Sequence, residues 1–213
     1  MQENESRVHH PIFARVYERV SVRAERRFAE HRARTLAGLA GRVVEIGAGN
    51  GLNFPHYPAE VTEVAATEPE PHLRELAAEA AREAPIPIRV TEDPAERLSF
   101  DAASFDAAVA SLVLCTVRDP DRALSELYRV IRPGGELRFH EHVISGRPAY
   151  AGLMRVADAT LWPFFAGGCH MARDTAAAIE RAGFVIASCN RFTERMTAFD
   201  PPKPHIVGVA RRP

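Results

Sequence analysis

The chain has 213 residues, of which 46% are hydrophobic and 26% charged, with a formal net charge of −1. That length suits one domain with a sizeable core, and the balance excludes a disordered, fibrous or membrane-embedded chain. A charge so close to zero sets up no field that would draw in a polyanion, so no nucleic-acid partner is expected.

In chain order, the N-terminus opens on Gln2-Glu3-Asn4-Glu5 without an apolar leader, and no run of about 18 apolar residues follows anywhere. Residues 10–40 are predicted to be helical, because Phe13, Val16, Tyr17 and Val20 recur at i, i+3, i+4 and i+7. Arginines and glutamates alternate between them, as on a solvated face laced with ion pairs. From Arg42 the pattern switches to short β-rich runs: Val43–Ile46, Val61–Thr67, Ile86–Val90, Phe105–Ala110 and Leu137–Val143. Helical segments separate them. Pro71–Glu83 is rich in Ala and Glu, and Asp119-Pro120 supplies an N-cap acid and a first-turn proline for another helix, which ends before Pro133-Gly134-Gly135. This βαβ rhythm predicts an α/β fold with a doubly wound, mostly parallel sheet and an N-terminal helical extension. The stretch from about Ser145 to Cys169 is irregular, carries Trp162, Phe164 and Phe165, and reads as a lid. A helix over about Ala172–Ala182 and two strands, Phe184–Cys189 and Ile206–Arg211, complete the chain.

Val43-Val44-Glu45-Ile46-Gly47-Ala48-Gly49-Asn50-Gly51 is an apolar strand running into a loop with glycine at alternate positions. Such a loop lets a ligand touch the backbone, where a Cβ would block both the turn and the approach. A dinucleotide fingerprint would need a third glycine at position 52, where Leu52 stands. Glu45 would also repel a pyrophosphate. An acid there suits a cation, and S-adenosylmethionine carries a sulfonium and an ammonium and no phosphate. Glu68, about twenty residues after the loop, is placed to accept ribose hydroxyls, with Pro69 beside it. Asp93-Pro94-Ala95-Glu96 after the third strand and Ser111-Leu112 after the fourth would line the same crevice.

Through Glu45–Gly51, Glu68, Phe105-Asp106 and Arg132–Gly135 the chain resembles the class I S-adenosylmethionine-dependent methyltransferases. It is similar in particular to the methyltransferase-like proteins that methylate alkyl thiols, through Leu112–Val117, Glu141-His142-Val143, Gly168-Cys169 and Pro204-His205-Ile206. The resemblance implies a Rossmann-like seven-stranded sheet with its last strand antiparallel, S-adenosylmethionine as cofactor, and a small-molecule methyl acceptor, a thiol in the closer relatives. Two features depart from it: Pro94 stands where an acid usually follows the third strand, and the hydrophobic N-terminal anchor of the animal proteins is missing. Residues 1–213 then form one domain: a helical cap over 1–41, a cofactor-binding core over 42–143, a lid or acceptor segment over 144–171, and a C-terminal helix with strands over 172–213.

Methyl transfer is an in-line displacement, so the protein must align nucleophile and methyl and remove a proton where the acceptor carries one. Glu141 and His142, expected at the end of the strand beside the glycine-loop strand and facing the cleft, are the candidate proton acceptors, with a structural pair as the alternative. Phe13, Tyr17, Trp162, Phe165 and His170 are the candidate acceptor pocket. His140 and His142 share a strand face and could hold a metal, but no third ligand is evident unless Cys169-His170 folds over, so no metal is expected. Cys115, Cys169 and Cys189 are odd in number and far apart, forming neither a disulfide framework nor a zinc spacing, and they fit a reducing cytoplasm. Cys115 and Cys169 read as core residues. A soluble cytoplasmic enzyme without stable membrane insertion is expected, and the sequence specifies no oligomeric state. The competing functions are an N- or O-methyltransferase of a quinone, lipid head group or other metabolite, and a non-catalytic S-adenosylmethionine-binding domain.

Overall fold

The structure is a computed structural model that describes residues 11–160, 162–165, 167–195 and 202–213, the side chains of 12, 164 and 165 aside. It begins with a long helix α1 (Pro11–Leu36), followed by β1 (Gly41–Ile46), a 3-10 turn at Phe54–His56, β2 (Val61–Thr67) and α2 (Pro71–Arg82). Then come β3 (Ile88–Thr91), β4 (Phe105–Ser111), α3 (Pro120–Val130) and β5 (Ile131–His142). The chain closes with α4 (Pro148–Asp158), the short α5 (Trp162–Phe165), α6 (Thr175–Arg181), β6 (Val185–Glu194) and β7 (Lys203–Arg211).

The seven strands form one sheet in the order β3-β2-β1-β4-β5-β7-β6. The pairs from β3 to β5 are parallel, and β7 runs antiparallel to both β5 and β6. The central strands are buried on both faces, which is why they read as near-continuous apolar runs. Alternation still sorts the two faces: Val44 and Ile46 of β1 and Ala108 and Ala110 of β4 enter one core with Leu124, Leu127 and Ile179. Val43, Ala107 and Val109 enter the other, with Leu36, Leu39, Phe54 and Ala77. The parallel order reverses between β1 and β4, so the carboxyl ends of these strands open a crevice on one edge of the sheet.

The helices start where their caps dictate. Asp119 accepts a hydrogen bond from the Arg122 N–H at 3.0 Å with Pro120 in the first turn, and Asp174 caps α6 through the Ala177 N–H at 3.2 Å. Two expectations need correction. The stretch 145–169 contains a regular helix, α4, whose buried Ala151 and Met154 face inward while Leu153 and Val156 are exposed; apolar residues on both sides erase the 3.6-residue stripe. And β5 begins at Ile131, before Pro133-Gly134-Gly135, whose residues bulge between the pairs Phe105 with Ile131 and Ala107 with Glu136. No helix among the described residues is long and apolar enough to cross a membrane.

Candidate active site

The loop after β1 holds Gly47, Gly49 and Gly51 at φ of 60°, 59° and 78°, a region that suits glycine. A Cβ on Gly47 would run into the Val113 side chain, and one on Gly51 would lie 2.7 Å from the Ala80 Cβ and 2.9 Å from the Phe54 ring. The loop is tied to β2: the Ala48 N–H donates to the Thr67 carbonyl at 3.0 Å and the Gly49 N–H to Glu68 Oε2 at 2.8 Å. Glu68 Oε1 accepts from the Glu70 N–H at 2.9 Å, and the Pro69 carbonyl accepts from Arg74 at 3.0 Å. Burial pushes the Glu68 carboxyl up, against the pull of those two N–H donors. A carboxylate offers about four acceptor positions, so Glu68 keeps capacity for a ligand's hydroxyls. Asn50 donates from its amide to Ser21 Oγ of α1 at 3.1 Å.

Glu45 is a correction. It is expected to face a cationic ligand, but it is 1% exposed and lies against side chains of its own fold, with Asn53 Nδ2 donating to one oxygen at 2.7 Å and the Tyr57 hydroxyl to the other at 2.6 Å. Burial lifts its carboxyl to about 7, opposed by those two hydrogen bonds and by Arg32. Arg32 in turn donates to Asn53 Oδ1 at 2.9 Å and pairs with Glu25 at 3.1 Å, so Glu45 anchors the 3-10 turn and α1 beneath the loop.

Asp93 accepts from Ser99 through its N–H at 3.2 Å and its hydroxyl at 2.6 Å, while Glu96 accepts from the Arg118 and Asp119 N–H groups. Both thus brace the loops on the β3 side of the crevice, with Ala95 buried between them. At the end of β4, Leu112 adopts φ 57°, a conformation costly for a residue with a Cβ, and its N–H donates to the His140 carbonyl at 2.7 Å. Buried hydroxyls end three strands on either side of β1 without a hydrogen-bond partner among the described residues: Thr67 on β2, Thr91 on β3 and Ser111 on β4.

Leu112 turns the chain into a segment that Glu141 holds from below. Glu141, fully buried, accepts from the Val113 and Leu114 N–H groups at 2.9 and 2.8 Å and from the Cys115 N–H at 3.3 Å. Burial raises its carboxyl, and these donors pull it back. With its oxygens committed to three backbone groups, Glu141 shapes the loop, and His142 is the member of the pair left facing reactive side chains. His142 Nδ1 lies 3.6 Å from Cys169 Sγ, and Cys115 Sγ completes a group whose ligand-type atoms all lie within 4.8 Å of one another. The hydrogen bond with Cys169 and burial push the Cys115 thiol well above its ordinary range. Both cysteines are buried, as expected of core residues, but they meet at this histidine although 54 residues separate them: the Cys115 carbonyl, accepting from the His170 N–H at 2.8 Å, brings the later segment home. His140, which shares a strand face with His142, packs among Phe28, His31, Phe192 and His205 with both ring nitrogens unpartnered among the described residues.

α1 and the 162–170 segment meet over this floor. The Tyr17 ring lies over Gly49, where a Cβ would sit 3.4 Å from it, and Tyr17 stacks on Phe13 with centroids 5.8 Å apart. Phe13 packs against Gly167 so closely that a Cβ there would enter its ring. Trp162 is half-buried, with the Lys203 Nζ 4.8 Å over its ring, a long-range contact that no local pattern signals. His170 lies within 3.9 Å of Asp158 rather than alone in the pocket. The Phe165 side chain, also expected in that pocket, lies outside the described residues.

A family model described as a methyltransferase domain matches residues 44–139. Over 211 residues the chain is 31% identical to thiol S-methyltransferase TMT1B of Mus musculus, covering 93% of this chain and 82% of that protein. The protein of the same name from Homo sapiens is 33% identical over 180 residues, 82% of this chain and 73% of that one. Among solved structures, geranyl diphosphate C-methyltransferase from Streptomyces coelicolor A3(2), in complex with Mg2+, geranyl diphosphate and S-adenosyl-L-homocysteine, matches with a TM-score of 0.67 at 15% identity. That match covers 88% of this chain and 80% of the other, and at such identity it speaks to the fold alone.

Proposed function

Because the chain belongs to the S-adenosylmethionine-dependent methyltransferases, in the family that includes thiol S-methyltransferase TMT1B, we propose that it methylates a small, fairly apolar thiol. The glycine loop supports the cofactor: backbone without Cβ atoms at Gly47, Gly49 and Gly51, a buried carboxylate at Glu68, and strand-end hydroxyls without a partner among the described residues fit a ligand that carries hydroxyls and is free of phosphate. Gly47–Gly51, Glu68 and Pro69 would hold it on one side of the crevice, and Asp93, Ala95, Glu96, Ser111 and Leu112 on the other. When bound, S-adenosylmethionine supplies a methyl group already activated by the sulfonium charge.

The observation that carries the acceptor assignment is a buried imidazole, His142, flanked by two sulfurs, those of Cys115 and Cys169. Soft, weakly polar groups suit a sulfur nucleophile better than a phosphate or sugar. A thiol of pKa about 8.5 needs only modest help to ionise, and His142 is the group that can take its proton. Glu141 contributes by fixing the Val113–Cys115 backbone. Phe13, Tyr17 and Trp162 enclose the acceptor and exclude water, with His170 at the edge.

The test is to incubate the protein with labelled S-adenosylmethionine and a panel of alkyl thiols, amines and phenols. Label should appear in the thiols, and His142→Ala should lose more activity on a weakly acidic thiol than on a strongly acidic one. Turnover on amines or phenols but on no thiol overturns the acceptor; equal losses on both thiols overturn the role of His142.

A further inference from the structure

Cys115, His142 and Cys169 are drawn from three separate places: the loop after β4, the last residue of β5, and the segment after α5. We propose that these three side chains bind a zinc ion, and that the metal's remaining position takes the sulfur of the acceptor thiol. This inference rests on the thiol assignment above and deepens it.

The geometry is already near that of a metal site. Zn–S and Zn–N bonds of about 2.3 and 2.0–2.1 Å at tetrahedral angles put neighbouring ligand atoms roughly 3.5–3.8 Å apart. His142 Nδ1 and Cys169 Sγ stand at 3.6 Å, and the whole group is contained within 4.8 Å, so closing on a metal takes a shift on the order of an ångström. The ligands are also held before any metal arrives. The Cys115 N–H is fixed by Glu141, its carbonyl is fixed by the His170 N–H, and His142 sits at the end of a strand paired on both sides. The ligand set is soft, two sulfurs and one nitrogen, which selects zinc over magnesium or calcium. Three protein ligands also distinguish a reactive zinc site from a closed structural one; among the described residues the group stops at three.

Charge completes the case. Zinc displaces one proton from each cysteine thiol, so Zn2+, two thiolates and a neutral imidazole sum to zero, the only total that a site this buried holds cheaply. The acceptor R–SH then loses its proton to solvent as its sulfur coordinates. The thiolate forms the new S–CH3 bond while the sulfonium–CH3 bond breaks, and that bond's electron pair stays on the cofactor sulfur. The site gains one negative charge with the thiolate, beside one positive charge on the cofactor, and both disappear in the products. His142 in the loaded enzyme is a ligand, and the proton that it would accept in the metal-free protein leaves through coordination instead.

The experiment uses the whole protein, purified under reducing conditions, stripped with a chelator and titrated with Zn2+ against a chromophoric competitor and with Co2+ as a spectroscopic stand-in. One equivalent should bind, with a thiolate-to-cobalt charge-transfer band, and Cys115→Ser, Cys169→Ser and His142→Ala should each lose it while still binding S-adenosylhomocysteine, which certifies their fold. A thiol of pKa about 8.5 is only about 3% ionised at pH 7, so restoring zinc should speed methylation of such a thiol about ten- to thirtyfold, and of an acidic thiol far less. A folded wild type that binds neither ion stoichiometrically overturns the site and leaves the thiol assignment standing. So does a Cys115–Cys169 disulfide that survives reduction. Binding without any change in rate overturns the delivery of the thiolate. Stoichiometric binding with no thiol methylated, loaded or stripped, overturns the proposed function and keeps the metal site.

Discussion

Glu141→Gln separates a loop clamp from a proton acceptor, because the two roles respond in opposite observables. The wild-type carboxylate accepts from three backbone N–H groups, at 2.9, 2.8 and 3.3 Å, with no exposure to water. A glutamine has the same shape but only one acceptor oxygen, so its amide NH2 must face one of those donors. Losing one hydrogen bond to a charged acceptor costs about 1.5–3 kcal/mol. For a chain of 213 residues, each kcal/mol lowers Tm by about 2–4 °C, so the expected drop is about 3–12 °C. Calorimetric melting of both proteins measures it, alongside kcat and S-adenosylmethionine affinity. Weaker cofactor binding and a modest fall in kcat should accompany the loss of stability, since the clamped segment begins at the strained Leu112 beside the crevice. A general base would behave otherwise, with kcat falling about 10²–10⁴-fold at unchanged Tm. That outcome refutes the clamp.

The buried histidines predict acid sensitivity. Burial, reinforced by neighbouring cationic and histidine side chains, lowers His140 to about 3 and His205 to about 2. Both are then neutral in the folded protein and protonate near 6.5 only when it unfolds. Their contribution to stability is complete above pH 6.5 and is lost as pH falls, by up to about 2.7 kcal/mol per pH unit for the two together. Denaturant titrations at pH 7.5, 6.5 and 5.5 should show this, and His140→Phe should remove about half the slope; a flat profile in the wild type contradicts it. In the cofactor site, Glu68→Ala removes the acceptor of the Gly49 and Glu70 N–H groups and should weaken S-adenosylmethionine about ten- to a hundredfold by calorimetry. Unchanged affinity would place the cofactor elsewhere.

What was legible in the sequence was local or periodic. The Asp119-Pro120 cap starts α3, and the apolar run Val43–Ile46 ending in alternate glycines is β1 and its loop. Strand order was less legible: the strand of Glu141 and His142 is expected beside β1, whereas β4 lies between the two. The partners of buried polar groups were not legible. Glu45 seemed to await a ligand because its true partners, Asn53 and Tyr57, reach it only when the 3-10 turn folds back. Glu141 and His142 looked alike as neighbours on a strand, but one reaches the N–H groups of a loop 26–28 residues earlier and the other a sulfur 27 residues later. α4 escaped for a different reason: a helix with apolar residues on opposite sides carries no stripe to detect.

The attachment of α1 is unequal along its length. Toward its C-terminal end Arg32 is buried and hydrogen-bonded to Asn53, within the network that reaches Glu45. Toward its N-terminal end the polar ties among the described residues are the partly exposed pair Glu18 with His72 and the Ser21–Asn50 bond, and beyond them rings lie on glycines, Tyr17 on Gly49 and Phe13 on Gly167. A rod clamped at one end and resting on smooth contacts at the other has its compliance at the resting end. Here that end covers the glycine loop, so the looser end of the helix lies over the place where a ligand must enter and leave.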